Sequence, residues 1–159
     1  MYSPSRQLGN VAEDVAVSYL KSNGFSIKDR NYLKKFGELD IVAERAGFIH
    51  FIEVKSKSIS RESVEVSGRG LLDKVSRLFS QISFTDNKFN IIISREMDMD
   101  DYLEENVHEW KRKRMLRTIE SYLFEKNLID REWQIDVLAI KLDFFQRTAI
   151  IKHIDDVIF

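Results

Sequence analysis

The sequence predicts one mixed α/β domain: a central sheet with helices laid against it. Three observations lead there. Apolar residues recur at helical spacing in residues 8–22 and again in 107–123. Residues 38–44, 48–55 and 133–142 are near-continuous apolar runs of strand length. The order is helix, strands, a variable middle, helix, two strands, which is a layered α/β arrangement without the alternating units of a doubly wound fold. The 159 residues suit one domain, and a 43% apolar fraction with eleven Phe can build its core.

The elements follow in order. Leu8, Ala12, Val15, Ala16, Tyr19 and Leu20 give residues 8–22 one apolar side, and Asn23-Gly24 stops that helix. Phe25 leads into a first strand around 28–32, and Lys34-Lys35-Phe36-Gly37 is a turn. Residues 38–44 and 48–55 are the second and third strands, joined through Arg45-Ala46-Gly47 as a hairpin, with at least one of them central in its sheet. Residues 56–67 are polar, and Gly68-Arg69-Gly70 punctuates them; Leu72, Val75, Leu78, Phe79 and Ile82 then give 71–82 a helical pattern. Residues 89–94 have strand composition, and the acidic stretch 96–105 reads as a surface connection. Trp110, Met115, Ile119, Tyr122 and Leu123 form the apolar side of a helix over 107–123, which makes Trp110 a core residue. Strands over 133–142 and 148–153 close the fold.

Composition narrows the chemistry. No cysteine is present, which excludes disulfides, cysteine zinc sites and thiol nucleophiles. No glycine-rich phosphate loop follows a strand, so no nucleotide cofactor is expected. The start of the chain lacks the apolar segment of a signal peptide and no run is long enough to cross a bilayer, so a cytoplasmic protein without membrane contact is the expectation. The net charge of −1 gives no global attraction to nucleic acid, but residues 111–117 carry a local basic patch that suits phosphate.

Two acidic signatures dominate. Gly37-Glu38-Leu39-Asp40 opens one apolar run, and Glu53-Val54-Lys55 closes the next. Strand alternation puts Glu38 with Asp40, and Glu53 with Lys55. A hairpin sets Asp40 beside Glu53, giving a Mg²⁺ or Mn²⁺ ion two oxygen ligands with the Lys55 ammonium alongside. Such a site is suited to phosphodiester hydrolysis: Lys55 orients or helps deprotonate the attacking water, or neutralises the phosphate. Glu13 lies on or beside the apolar face of the first helix, where a carboxylate is costly unless paired or metal-bound. It completes the cluster, directly or through a metal-bound water, or else it bonds Arg30 or Asn31. Glu38 is a further ligand or a supporting charge. Gln134 and Asp136 share a strand face; a buried Asp136 needs a partner, and the basic helix is the expected source. Lys111, Lys113, Arg114 and Arg117 are candidates to grip a phosphate backbone without reading sequence. His50, His108 and His153 make no zinc pattern, and His50 reads as structural.

These motifs resemble a known family. Gly9-Asn10-X-Ala12-Glu13-X-X-Ala16-X-X-Tyr19-Leu20, Gly24-Phe25, Arg30-Asn31-Tyr32, Gly37 to Ala43 and Phe51 to Lys55 are similar to the YraN-like, UPF0102 family. The likeness resumes at Asn106-Val107-His108-X-Trp110-Lys111-X-Lys113-Arg114, then at Trp133-Gln134-X-Asp136-Val137 and His153-Ile154-X-Asp156. The resemblance implies a restriction-endonuclease-like, PD-(D/E)XK core related to archaeal Holliday junction resolvases. It implies catalytic roles for Glu13, Asp40, Glu53 and Lys55. The middle, about 63–103, departs from the family as an insertion within the single domain 1–159.

The function expected is a metal-dependent endonuclease acting on DNA, branched or junction DNA included. The alternative is a nucleic-acid- or protein-binding module that keeps the fold without turnover. A junction cutter needs two active sites, so a homodimer is expected, with the 71–82 stripe packing across its axis or on its own sheet.

Overall fold

The structure, a computed structural model, describes residues 4–58, 89–94 and 109–157. The expected helix over 71–82, the acidic stretch 96–105, His108 and most of the proposed insertion lie outside the described residues. What is described is a mixed α/β fold: a six-stranded sheet in the order β1 (Ser26–Lys34), β2 (Gly37–Arg45), β3 (Phe48–Ser58), β5 (Trp133–Asp143), β6 (Thr148–Ile154), β4 (Asn90–Ile93), with helices against it.

Helix α1 (Pro4–Ser22) buries Val11, Ala12, Val15, Ala16, Tyr19 and Leu20, a stripe at helical spacing. It ends in a Schellman motif: Phe25 N–H bonds the Leu20 carbonyl at 3.0 Å and Gly24 N–H bonds that of Lys21 at 3.2 Å. That motif needs a left-handed residue, supplied by Gly24 at φ +82°. Phe25 and Leu20 join the same core cluster, so the cap also aims the chain at the sheet.

Strands β1 (Ser26–Lys34), β2 (Gly37–Arg45) and β3 (Phe48–Ser58) form an antiparallel meander. The β2–β3 loop is Ala46-Gly47, both at positive φ (51° and 92°), the conformation of a type I′ turn. Arg131 straps it, donating to the Gly47 carbonyl at 2.9 Å and to Glu44 at 2.6 Å. Lys28 adds a second cation on Glu44 at 2.7 Å, and the two hydrogen bonds pull that carboxyl down to about 2.

Strand β5 (Trp133–Asp143) pairs parallel to β3, from Ile49↔Trp133 to Ser58↔Leu142, and antiparallel to β6 (Thr148–Ile154). It is buried along most of its length, in keeping with its largely apolar sequence. The four-residue edge strand β4 (Asn90–Ile93) runs parallel to β6. Helix α2 (Glu109–Glu125) covers the other face of the sheet: Ile119, Tyr122 and Leu123 meet Leu39, Val42, Ile49, Phe51 and Ile135. It too ends in a Schellman motif, with Asn127 at φ 55° and Leu128 N–H on the Leu123 carbonyl. Trp110 is not core: it is 57% exposed near the start of α2, with the Arg114 guanidinium 5.6 Å from its ring centre. Its spacing fits the apolar stripe, but the sheet is covered by the C-terminal half of the helix.

Candidate functional site

The sheet is irregular at Asp40. On one side the β1–β2 ladder pairs Arg30 with Ile41 and Tyr32 with Leu39, and skips Asn31 opposite Asp40. Asn31 has φ 51°, outside the strand region. On the other side the β2–β3 ladder ends at Ile41↔Ile52, one step before Asp40 and Glu53. Side-chain alternation breaks at the same place, since Leu39 packs with the α2-side cluster and Ile41 with the α1-side cluster. Alternation is the ground for expecting Glu38 and Asp40 on one face, and it is interrupted here. The opened fork is filled by the Asp40 side chain, whose Oδ2 accepts the Val54 N–H at 2.8 Å. A carboxylate thus takes a backbone donor that a regular hairpin would give to the neighbouring strand.

Three other acids act on Asp40 around that fork. Burial, then the Glu53 charge, push the Asp40 carboxyl up to about 7, with smaller contributions from Glu13 and Glu38; only the Val54 N–H opposes them. Glu13 comes from α1. Burial raises its carboxyl too, against a hydrogen bond with Asn31 and the charge of Arg30. Its Oε2 is buried with no hydrogen-bond partner among the described residues, and Arg30 Nη2 stands 3.7 Å away. Both alternative partners expected for Glu13 are therefore present, and one oxygen is still unsatisfied. Glu38 is exposed, and its charge acts on Asp40 and Glu13.

Glu53 lies on the α2 side. Its Oε1 meets Lys55 Nζ at 3.1 Å and Lys111 Nζ at 3.3 Å. Of the four basic residues expected to grip phosphate, Lys111 is thus turned into the acidic site. Arg114 donates to the Phe36 carbonyl and so ties α2 to the β1–β2 turn. Lys113 and Arg117 are exposed.

A second polar group sits on the α1 side of the sheet. Asp136 is fully buried and does not pair with the basic helix, which covers the opposite face. Its partners are histidines: Oδ2 accepts His50 Nδ1 at 2.7 Å and His153 Nε2 at 3.2 Å. Oδ1 accepts the Gln134 amide at 2.7 Å and the Asp156 N–H at 3.0 Å. These four donors outweigh desolvation and hold the Asp136 carboxyl well below the usual range. Phe25 packs edge-on to His50, and the Tyr19 hydroxyl lies 3.5 Å from His153 Nδ1. The parallel and antiparallel registers put positions 50, 136 and 153 on neighbouring strands, a juxtaposition that three scattered histidines do not announce. The hint in the sequence is a polar residue on each of three strands: His50 and Asp136 flanked by apolar residues, His153 next to Ile154.

Asp136, His153 and Asp155 each place one ligand atom within 4.8 Å of the others, a group capable of holding a divalent cation. Both Asp136 oxygens already take two donors, however, and Asp155 is 61% exposed. This group reads as a clasp joining β3, β5, β6 and the chain after β6. The Asp40 group differs: there a buried carboxylate oxygen, Glu13 Oε2, has no hydrogen-bond partner among the described residues.

The fold and these sites define a mixed α/β protein with a carboxylate cluster at an opened strand pair. The chain belongs to the family UPF0102, described as an uncharacterised protein family, which matches residues 12–93. A UPF0102 protein from Campylobacter jejuni (strain 81-176) is 32% identical over 138 residues, 87% of each chain. One from Aliarcobacter butzleri (strain RM4018) is 36% identical over 96 residues, 60% of this chain and 84% of its own. Among solved structures, an fdxN element excision controlling factor protein from Anabaena variabilis aligns over 88% of this chain and 95% of its own. Its sequence identity is 15% and its TM-score 0.28, too loose a superposition to argue from. No described helix is long and apolar enough to cross a membrane.

Proposed function

We propose that this protein is a Mg²⁺- or Mn²⁺-dependent nuclease that hydrolyses phosphodiester bonds in DNA, with Asp40 and Glu53 as the cation's ligands and Glu13 completing the site directly or through a metal-bound water. The observation that carries this reading is the strand pair that opens at Asp40, where Oδ2 captures the Val54 N–H while burial and then the charges of Glu53, Glu13 and Glu38 raise the carboxyl. Proteins seldom leave acids together in a half-buried place without a cation to justify the cost. The donor chemistry suits a hard cation: the donors are all carboxylate oxygens, and Glu13 Oε2 is a buried acceptor with no hydrogen bond among the described residues. The topology supports it too. A helix, a three-strand meander and a strand parallel to its third member, with the acids on the second and third strands, is the arrangement expected of a PD-(D/E)XK core.

A bound divalent cation would supply Lewis-acid polarisation of the phosphoryl group and an acidified water. The chain's own residues do the rest. The Val54 N–H fixes the Asp40 carboxylate, and Asn31 and Arg30 fix Glu13. Lys55, 3.1 Å from Glu53, is placed to orient the attacking water and offset charge on the phosphate. Lys113 and Arg117 present exposed charge to a phosphate backbone.

The test is incubation with single-stranded, duplex and four-way DNA in Mg²⁺ or Mn²⁺ and in EDTA. Metal-dependent cleavage that disappears in Asp40→Ala and Glu53→Ala is the expected result. Tight DNA binding without cleavage of any substrate would replace the enzyme by a binding module on the same fold.

A further inference from the structure

Glu53 faces two lysines where a catalytic lysine needs only one. Lys55 is fixed two residues away on the same strand, but Lys111 reaches across from α2. Both ammoniums sit on the same oxygen, Oε1, at 3.1 and 3.3 Å. The Lys111 side chain is 42% exposed, so it bridges the acid group and open solvent. Like charges held that close repel, and two cations on one oxygen are tolerable because several carboxylates surround them. A divalent cation entering the cluster would tip that balance. It would take the Glu53 carboxylate and repel the ammonium freer to leave, which is Lys111, the longer contact and the more exposed side chain at 42% against 22% for Lys55.

We propose that Lys111 is a stand-in counter-ion: it holds Glu53 while no metal is bound and passes to a substrate phosphate when metal arrives. One side chain then couples metal loading to phosphate binding. Because such coupling is reciprocal, metal tightens DNA binding by the same factor by which DNA tightens metal binding. Lys111 acts here as a positioning residue for Glu53 and a contact for phosphate, distinct from the water-orienting role of Lys55. The inference rests on the metal-site reading above.

The experiment uses the whole chain with Lys111→Ala, Lys111→Arg and Asp40→Asn. Mn²⁺ affinity is measured by calorimetry. Affinity for a labelled DNA duplex is measured by anisotropy in EDTA and in Ca²⁺, which takes the same oxygen ligands. Lys111→Ala is expected to bind Mn²⁺ about two- to fivefold more tightly, the span of a half-exposed ion pair. It is expected to bind DNA normally in EDTA and to lose about the same factor in Ca²⁺. Lys111→Arg, which keeps the charge, should behave like the parent in both assays. A merely structural Lys111 would instead weaken metal binding, or change DNA binding equally in EDTA and Ca²⁺, and either result overturns the proposal. Equal Mn²⁺ affinity and an unchanged Ca²⁺ effect in Lys111→Ala, with Asp40→Asn losing metal, overturns it while leaving the metal site standing. No Mn²⁺ binding by the parent protein removes the metal site and this inference with it.

Discussion

Asp40 concentrates the tension in this molecule. Its carboxyl stands at about 7 in the fold and returns to about 4 in the unfolded chain. Between those values the folded protein holds a proton that the unfolded chain has released, so stability falls as pH climbs from about 4 to about 7 and stays lower above. Asp40→Asn is uncharged at every pH and can still accept the Val54 N–H. It is therefore expected to raise the Tm of the metal-free protein at about pH 8 and to change it little at about pH 5; thermal melts in EDTA check this, and a lower Tm at the higher pH would contradict it. A cation must displace the same proton, so Mn²⁺ affinity should climb as pH rises through about 7 and then level off, as calorimetry at several pH values would show. At this scale the sequence was legible where chemistry is local. Glu13, Asp40, Glu53 and Lys55 stand out as candidates in the sequence because the acids interrupt apolar patterns, and the structure brings charges of Glu53 and Glu13 to bear on Asp40. Lys111 on Glu53 and the two histidines on Asp136 do not stand out, because those contacts join positions 58, 86 and 17 residues apart through register and helix placement.

At the scale of elements, two strain and pairing effects have measurable consequences. Ala46 occupies the left-handed region at φ 51° in the β2–β3 turn, where an L-residue with a Cβ pays a steric penalty and Asn is better suited. Ala46→Asn is expected to stabilise the protein by about 0.5–1 kcal/mol in urea unfolding. Asp136 ties three strands together; Asp136→Ala strands two imidazoles, an amide and a backbone N–H in the interior. It is expected to cost about 3–5 kcal/mol, read from the same denaturation curves, the range for breaking a buried charge network from one side. Because the folded Asp136 carboxyl is depressed, its contribution is present above about pH 4 and fades only as the medium becomes strongly acidic. Strands and both helices could be read from periodicity. The break at Asp40 could not: alternation is an average property, and a carboxylate that captures a backbone donor overrides it at one residue. The same averaging misplaced Trp110, which obeys the helical period but is more than half exposed.

At the scale of the whole molecule, a net charge of −1 means that the DNA binding proposed here would depend on local charge. Neutralising Lys113 and Arg117 together is expected to weaken DNA binding equally across sequences. It should also make the dependence of affinity on salt shallower by about 0.9 per lost phosphate contact; an unchanged slope would leave them as surface charges. The sheet order places the acid cluster against α1 on one side and α2 on the other, so both helices and the meander are needed to build it. That long-range assembly is why the family motif conveys the site better than any single segment does. The central claim is that this cluster, and not the Asp136 clasp, is the cation site. Calorimetric titration of Mn²⁺ at about pH 8 into the parent, Asp40→Asn and His153→Gln proteins tests it most directly. Binding that is lost in Asp40→Asn and kept in His153→Gln is the expected result; binding kept in Asp40→Asn and lost in His153→Gln, or no binding by the parent, would contradict it.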